Sequence, residues 1–281
     1  SPMPELPEVE TMRRGVEPAV GARIERFQRL PCPRKPIAIT QTLPAFRRRV
    51  EGRRIAAAER IGKRVVLRLE GAGAIVVEPR MTGLLLLDEP PDRLYCRVRL
   101  ALSGRGRLQQ ILYWDRRGLG NVRFVAAAEF NQRYGADVLG PDALTMTASL
   151  LCERLGASRR AIKVALLDQK AVAGIGNLYA AEILHFAGVH PERECTKLTT
   201  AQWRAIADAT AEVLAEAIRY EGSTLGDGTY RNALNKQGAY QNAHRVYDKT
   251  GQPCPRCGRA IERIVQAQRA TFFCPGCQRR R

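Results

Sequence analysis

Four cysteines near the end of the 281-residue chain have the type and spacing of a metal site. Cys254 and Cys257 form one C-x2-C pair, and Cys274 and Cys277 form a second pair after 16 intervening residues. Each pair offers two thiolates from a tight turn, and four thiolates complete tetrahedral Zn²⁺ coordination without an open position. We therefore predict one structural zinc ion. Two redox-active pairs are the alternative, but a redox C-x2-C motif accompanies a βαβ unit, which the local pattern does not indicate.

Basic residues are in excess, with 46 Lys and Arg against 28 Asp and Glu and a net charge of +18. An excess of this size is typical of proteins that neutralise the phosphates of nucleic acid. Residues 254–281 hold seven arginines and one acid, so part of the excess is concentrated beside the cysteines. Nucleic acid is the partner that this charge favours, and a generally Arg-rich protein from a GC-rich genome is the alternative.

The composition, 45% hydrophobic and 26% charged, is that of a globular protein of about two domains. Apolar runs such as residues 84–87 are far shorter than the ~18 residues of a membrane span. The N-terminal residues are prolines and acids rather than the apolar or Arg-rich segment of a targeting peptide. We expect a bacterial cytoplasmic or nucleoid location. The four other cysteines are then reduced structural thiols: Cys32, Cys96, Cys152 and Cys195.

The elements that must position these residues change in type along the chain. Hydrophobic alternation predicts strands at 64–69, 74–77, 96–102 and 108–114, the last two forming a hairpin, and a helix over Glu8–Val16 begins behind Pro7. From about residue 140 the pattern predicts helices at 147–155, 158–168, 176–187 and 200–221. Thr199 and Gln202 have the spacing of a capping box, and Gly188 and Gly222 stand where helix C-caps are expected. The polar stretch that follows residue 222 is too long for an idle connection.

Five motifs, in this order along the chain, closely resemble those of the formamidopyrimidine-DNA glycosylase family. They are Pro4-Glu5-Leu6-Pro7-Glu8-Val9-Glu10-Thr11, Ile61-Gly62-Lys63-Arg64, Gly174-Ile175-Gly176-Asn177-Leu178-Tyr179-Ala180, Gln268-Arg269-Ala270-Thr271 and the four-cysteine segment. The resemblance implies an α+β multidomain fold. Its parts would be an N-terminal β-sandwich with an N-terminal helix (1–139), a helical domain with a helix-two-turns-helix motif (140–247) that includes a lesion-capping loop (about 223–247), and a zinc finger on a β-hairpin (248–281).

The resemblance also implies a bifunctional DNA glycosylase and AP lyase that excises oxidised purines, 8-oxoguanine and formamidopyrimidines, from duplex DNA in base excision repair. In the family an N-terminal proline attacks C1′ of the damaged nucleotide, and the Schiff base that forms permits β- and then δ-elimination. Pro4 matches this nucleophile, Glu5 the general acid and base, Glu8 a supporting acid and Lys63 a lysine close to the sugar and phosphate. An α-amine is suited to this role because its pKa of about 8 leaves part of it neutral at physiological pH.

DNA-binding positions carry over in the same way. Met81, Arg117 and Leu119 match side chains that fill the space left by a flipped nucleotide, while Lys163, Asn177 and Arg269 match phosphate-binding positions and Tyr247 closes the lesion-capping loop. A surface lysine is the alternative for Lys163, and core filler is the alternative for Met81. Leu119 replaces the usual phenylalanine and Glu78-Pro79-Arg80 replaces a stretch that often begins with histidine, which leaves the opposite-base preference open. The loop interior, residues 226–241, departs enough that no base contacts are assigned.

One departure bears directly on the chemistry. Ser1-Pro2-Met3 precede Pro4, so the Pro4 nitrogen is an amide that cannot form an iminium, and the chain as printed is expected to lack Schiff-base chemistry. Translation from Met3 with removal of that methionine would expose Pro4. The alternatives are a non-catalytic damaged-DNA-binding paralogue with a blocked N-terminus and an endonuclease VIII-like enzyme for oxidised pyrimidines. The capping loop favours the formamidopyrimidine branch, and we expect a monomer.

Overall fold

The computed structural model describes residues 3–225 and 228–280. Ser1 and Pro2 of the predicted extension, Gly226 and Asp227 of the predicted capping loop, and Arg281 of the zinc finger lie outside the described residues. The chain divides into two compact units, Ser1–Gly135 with Tyr220–Gln241, and Ala136–Arg219 with Asn242–Arg281. Most of the predicted capping loop thus belongs to the first unit. Among the described residues, no helix combines the length and apolarity needed to cross a membrane.

The first unit is built on two β-sheets. Its elements are α1 (Leu6–Val16), β1 (Arg23–Arg29), β2 (Ala38–Ile39), α2 (Leu43–Val50), β3 (Ile55–Ile61), β4 (Arg64–Leu69), β5 (Gly73–Glu78), β6 (Gly83–Leu86), β7 (Cys96–Ser103), β8 (Gln110–Asp115), β9 (Asn121–Ala126) and α3 (Phe130–Tyr134). One sheet has the order β1-β7-β8-β6 and the other β2-β9-β5-β4-β3. All neighbours are antiparallel except β2 and β9. The predicted hairpin is observed as β7 paired with β8.

The core of this unit holds α1 and the described part of the 220–241 segment in place. Val9, Met12 and Val16 of α1 are fully buried, and Tyr230 lies in the same apolar cluster. Helix α1 packs against β3, β4 and β6. Because a whole face of α1 is buried, the residues at its N-terminus have a fixed position in the unit.

The second unit contains four helices and a hairpin among its described residues. They are α4 (Ala148–Leu155), α5 (Ile162–Leu166), α6 (Asn177–Ala187), α7 (Thr200–Arg219), β10 (Glu262–Gln266) and β11 (Arg269–Phe273). The predicted capping box precedes α7, where Thr199 and Gln202 exchange side-chain and backbone hydrogen bonds of 3.0 and 3.2 Å. Gly188 ends α6 in the left-handed conformation, with φ of 71°.

The helix predicted over residues 158–168 is wrong at its start. The structure begins α5 at Ile162, because the backbone before it pairs with a distant segment. Cys195 N–H donates to the Arg160 carbonyl at 3.0 Å, and Thr196 N–H donates to the Ser158 carbonyl at 3.2 Å.

The hairpin of β10 and β11 turns through two residues with positive φ. Gln266 pairs with Arg269, and Ala267 and Gln268 between them have φ of 48° and 63°. This pair of left-handed residues is typical of a type I′ turn, which favours glycine or asparagine. The turn places Arg269 at the first position of β11.

Candidate active site and nucleic-acid interface

The N-terminus of α1 brings together three of the residues assigned to catalysis. Pro4 and Glu5 are buried immediately before the helix, and Glu5 is its N-cap. Glu5 and Glu8 form a reciprocal capping box, in which Glu8 Oε2 accepts the Glu5 N–H at 2.9 Å. The start of the helix is thus held by two buried carboxylates.

Glu8 also connects α1 to the segment predicted to cap the lesion. Its Oε1 accepts the Ser223 N–H at 2.9 Å, and the residue is 4% exposed. Gly222 lies so close that a Cβ there would be 2.9 Å from Glu8 Cγ, and its φ is +75°. One carboxylate therefore fixes both the backbone at Glu5 and the first residue of the predicted loop.

Lys63 lies in the two-residue turn between β3 and β4. Ile61 pairs with Arg64, and Gly62 takes a positive φ of 57°. Arg60 Nη1 donates to the Gly62 carbonyl at 3.0 Å and closes the turn. Lys63 itself is half-buried, on a pair of strands that both contact α1.

The structure brings Met81 and Arg117 into contact although 35 residues separate them in sequence. Arg117 Nη1 lies 3.2 Å from Met81 Sδ, and Leu119 in the same loop as Arg117 is 38% exposed. Met81 is half-buried in a turn rather than in the main core. These three side chains, assigned to filling the flipped nucleotide's place, lie on two adjacent turns of the first unit.

In the second unit a buried lysine organises the start of α6. Lys163 is fully buried, and its Nζ donates to Asn177 Oδ1 at 2.5 Å. Asn177 Nδ2 in turn donates to the Ala270 carbonyl on β11 at 3.0 Å. The surface-lysine alternative is wrong for Lys163, whose ammonium instead orients the asparagine that opens α6.

Arg269 and Tyr247 flank this junction. Arg269 is exposed and precedes Ala270 on β11, while the Tyr247 ring packs edge-on against Phe272 with centroids 5.2 Å apart. Backbone N–H groups of three consecutive residues, Arg245, Val246 and Tyr247, donate to the fully buried Glu182 at 2.8 to 2.9 Å. Burial raises the pKa of the Glu182 carboxyl, while these N–H groups favour its charged form.

The four predicted ligands meet in one cluster whose size fits zinc. Their Sγ atoms all lie within 4.8 Å of one another, with Cys254 and Cys277 at 3.9 Å and Cys257 and Cys274 at 3.3 Å. A tetrahedron of thiolates around Zn²⁺ at about 2.3 Å has sulfur–sulfur edges of about 3.8 Å. Among residues 3–225 and 228–280, it is the one group of three or more metal-ligating side chains identified. The residues present therefore fit a closed, structural zinc site.

Three buried polar residues had no role in the sequence interpretation. Asp115 accepts hydrogen bonds in the loop that carries Arg117, Glu182 holds the backbone at Tyr247, and His185 Nε2 lies 3.3 Å from Cys254 Sγ. The role of Asp115 could have been predicted from the sequence. An aspartate at the end of a strand, followed by glycines, is typical of a side chain that accepts hydrogen bonds from nearby backbone amides. The roles of Glu182 and His185 depend on partners more than 60 residues away.

Comparison with known proteins finds matches along most of the chain. Residues 3–122 match the formamidopyrimidine-DNA glycosylase N-terminal domain, residues 139–228 the formamidopyrimidine-DNA glycosylase H2TH domain, and residues 251–280 a zinc finger found in FPG and IleRS. The formamidopyrimidine-DNA glycosylase of Chloroflexus aggregans is 42% identical, with 98% of each chain covered.

Solved structures are similar over the same length. The crystal structure of the MutM (Fpg) protein from Thermus thermophilus has a TM-score of 0.84 at 37% identity, with 98% of each chain covered. A variant of the Lactococcus lactis protein in complex with Fapy-dG containing DNA has a TM-score of 0.86 at 31% identity, covering 99% of this chain and all of that one.

Proposed function

Because the chain belongs to the formamidopyrimidine-DNA glycosylase family and is a DNA glycosylase for oxidised bases in repair, we propose that it removes oxidised purines by amine catalysis at Pro4. The family predicted from the motifs, the multidomain fold with an H2TH domain and the structural zinc are confirmed. The observation that carries the proposal is the start of α1, where Pro4, Glu5 and Glu8 lie together and Glu8 binds the backbone of Ser223.

The proposed reaction begins when the secondary amine of Pro4 attacks C1′ of the damaged nucleotide. The C1′–N bond breaks, and the base leaves with the bonding electron pair and a proton. Opening of the sugar ring gives an iminium between Pro4 and C1′, in which Glu5 serves as the general acid and base. The iminium withdraws electrons from C2′, so loss of a C2′ proton expels the 3′ phosphate, and a second elimination expels the 5′ phosphate.

In this scheme the supporting residues position the nucleophile and stabilise the charge of the phosphate. Glu8 holds the Glu5 backbone and Ser223, so it fixes the nucleophile relative to the predicted capping segment. Lys63 stabilises the phosphate next to the reacting sugar as a point charge. Zinc, when bound, supplies no reaction step, because four thiolates leave no open coordination position. It holds the hairpin that carries Arg269.

DNA binding is proposed to use the start of α6 and Arg269 in the second unit. Helix α6 begins at Asn177, and the positive end of its dipole favours a phosphate there. Arg269 is exposed at the start of β11 and neutralises a second phosphate. Replacing Arg269 by Ala should therefore reduce the slope of log K against log salt by about 0.9. An unchanged slope would mean that Arg269 does not contact phosphate.

Borohydride trapping on a duplex containing 8-oxoguanine tests the proposal. Two proteins are compared, the 281-residue chain and a chain whose first residue is Pro4. A free Pro4 amine should form an iminium that borohydride reduces to a stable covalent adduct, whereas an amide nitrogen should form none. The expected result is an adduct with the shortened chain alone.

A matched variant separates the chemistry from binding. In the chain that begins at Pro4, Glu5→Gln should bind the duplex normally but release base far more slowly, since its amide cannot transfer a proton. Unchanged base release in this variant would contradict the role of Glu5. An adduct with neither chain length, while both bind DNA, would favour the non-catalytic interpretation or another lesion.

A further inference from the structure

Asp115 is a buried carboxylate of the first unit with many hydrogen-bond donors around it. It ends β8, is 0% exposed, and accepts from five donors. Its Oδ1 accepts from Thr82 Oγ1 at 2.5 Å and from the N–H groups of Arg117 and Gly118 at 3.2 and 3.0 Å. Its Oδ2 accepts from Gly120 N–H at 2.9 Å and Tyr113 Oη at 3.1 Å. A buried carboxylate is tolerated when its lone pairs are satisfied in this way.

These bonds join two turns that the chain makes far apart. Gly83 pairs with Asp115 where β6 meets β8, which places Thr82 beside the loop at 116–120. Thr82 Oγ1 also accepts the Arg117 N–H at 2.9 Å, so the hydroxyl bridges the two turns. Thr82 follows Met81 directly. One carboxylate therefore sets the backbone on both sides of the contact between Met81 and Arg117.

A buried arginine also binds the backbone where this loop begins. Arg97 is 2% exposed; its Nε donates to the Asp115 carbonyl at 2.8 Å and its Nη1 to the Lys35 carbonyl at 2.7 Å. The guanidinium thus ties the backbone at Asp115, where the loop begins, to the backbone at Lys35.

Close packing leaves no room for a side chain at two glycines of the loop. A Cβ at Gly118, where φ is +65°, would lie 2.6 Å from the Lys35 carbonyl oxygen. A Cβ at Gly120 would lie 1.8 Å from Tyr113 Oη, inside the hydroxyl that donates to Asp115. The loop backbone is thus closely packed on its inner side, while the Leu119 side chain that it carries is 38% exposed.

From this geometry we infer that Asp115 is a positioning residue for nucleotide extrusion: it holds Met81, Arg117 and Leu119 ready to fill the duplex when the damaged nucleotide leaves the stack. The inference rests on the proposed function. Extrusion costs stacking and pairing free energy, and side chains carried on a backbone that is already positioned lose less entropy when they replace the lost contacts. Asp115 itself is buried and touches no substrate.

The test compares Asp115→Asn and Thr82→Val in the chain that begins at Pro4. The asparagine side chain keeps the shape of aspartate but offers one acceptor oxygen instead of two, so it cannot satisfy all five donors. Thr82→Val removes the bridging hydroxyl alone and keeps the β-branched shape. The control is Phe46→Leu, which removes a stacking contact with Phe27 in the same unit, with ring centroids 4.0 Å apart.

Two measurements distinguish extrusion of the nucleotide from the chemical steps of base release and strand cleavage. The first is the fluorescence of 2-aminopurine placed next to the lesion, which rises when the stack is broken, and it needs no base release. The second is the ratio of kcat/KM for 8-oxoguanine excision to kcat/KM for cleavage at an abasic site, which carries no base to extrude. Asp115→Asn should lower excision on the order of tenfold to a hundredfold and abasic cleavage by less than about threefold, with Thr82→Val intermediate.

The outcomes are distinct. A reduced 2-aminopurine signal in both variants, but not in Phe46→Leu, supports the inference. Equal loss of both activities with a normal 2-aminopurine signal, in protein that is folded and zinc-loaded, overturns it and leaves Asp115 a structural residue. If Asp115→Asn does not fold, Thr82→Val decides by the same two readouts. Absence of base release by the unsubstituted chain would contradict the proposed function, yet the 2-aminopurine comparison would still decide the role of Asp115.

Discussion

His244 should make the second unit sensitive to mild acid. The residue is 6% exposed, and burial, together with the charge of Lys249, lowers its pKa to about 4 from 6.5. A histidine with a lowered pKa is neutral in the folded protein but takes a proton in the unfolded chain below pH 6.5. The unfolded state therefore binds more protons, and the free energy of unfolding falls as pH falls from about 6.5 towards 4.

The two pKa values fix the size of the effect. With a pKa of 6.5 in the unfolded chain and about 4 in the folded protein, His244 lowers the free energy of unfolding by about 1.4 kcal/mol at pH 5.5 and by about 0.1 kcal/mol at pH 7.5. His244→Gln removes the titrating group and keeps a polar side chain. Acidification from about pH 7.5 to about pH 5.5 should therefore destabilise the parent more than the variant. The difference between the two losses of unfolding free energy should be about 1.3 kcal/mol.

Tryptophan fluorescence can follow this unit alone. The chain has two tryptophans, Trp114 in the first unit and Trp203 in the second, and Trp203 is 3% exposed. In a Trp114→Phe background, urea titrations with zinc present would report the second unit through Trp203. The other histidines are present in both proteins, so their contributions cancel. Equal losses of stability on acidification would refute the claim that His244 is held neutral by burial.

Three further predictions concern the second unit. His185→Phe removes the imidazole 3.3 Å from Cys254 Sγ and should weaken zinc retention about tenfold, measured as zinc release to a chromogenic chelator; unchanged release would exclude a role in holding the thiolate. Gln268→Gly should raise the free energy of unfolding by about 1 kcal/mol, because Gln268 has φ of 63° in the hairpin turn; a loss of stability in urea titrations would show that the turn is not strained. Lys163→Met should weaken DNA binding by misplacing Asn177, yet leave the salt dependence of the affinity unchanged, since a fully buried ammonium neutralises no phosphate. A reduced salt slope would show direct phosphate contact.

Local patterns predicted the fold wherever structure depends on neighbours in sequence. The strand at Arg64–Leu69 and the capping box at Thr199 follow from alternation and residue type within a few positions. The helix predicted from residue 158 fails for the opposite reason. Its first residues pair with residues 194–196, and a hydrophobic period carries no information about that partner.

The candidate site divides in the same way. The resemblance assigned Glu5 and Glu8 to the site, and the structure joins them in a capping box, which is a local arrangement of residues three apart. The burial of Lys163 behind Asn177 and the convergence of five donors on Asp115 depend on contacts between separate elements. The resemblance named the residues assigned to chemistry and DNA binding, whereas the buried polar residues that hold them emerged from the structure.

The discontinuous first unit has a consequence for synthesis of the protein on the ribosome. Its two segments are separated by residues 136–219, so it is incomplete until residue 241 has been made. At about 5 to 20 residues per second, the nascent chain waits roughly 5 to 20 seconds between Gly135 and that point. During this interval Glu8 lacks the Ser223 amide and the core lacks Tyr230. Helix α1 can pack against β3, β4 and β6 early in synthesis, but its contacts with the second segment form last.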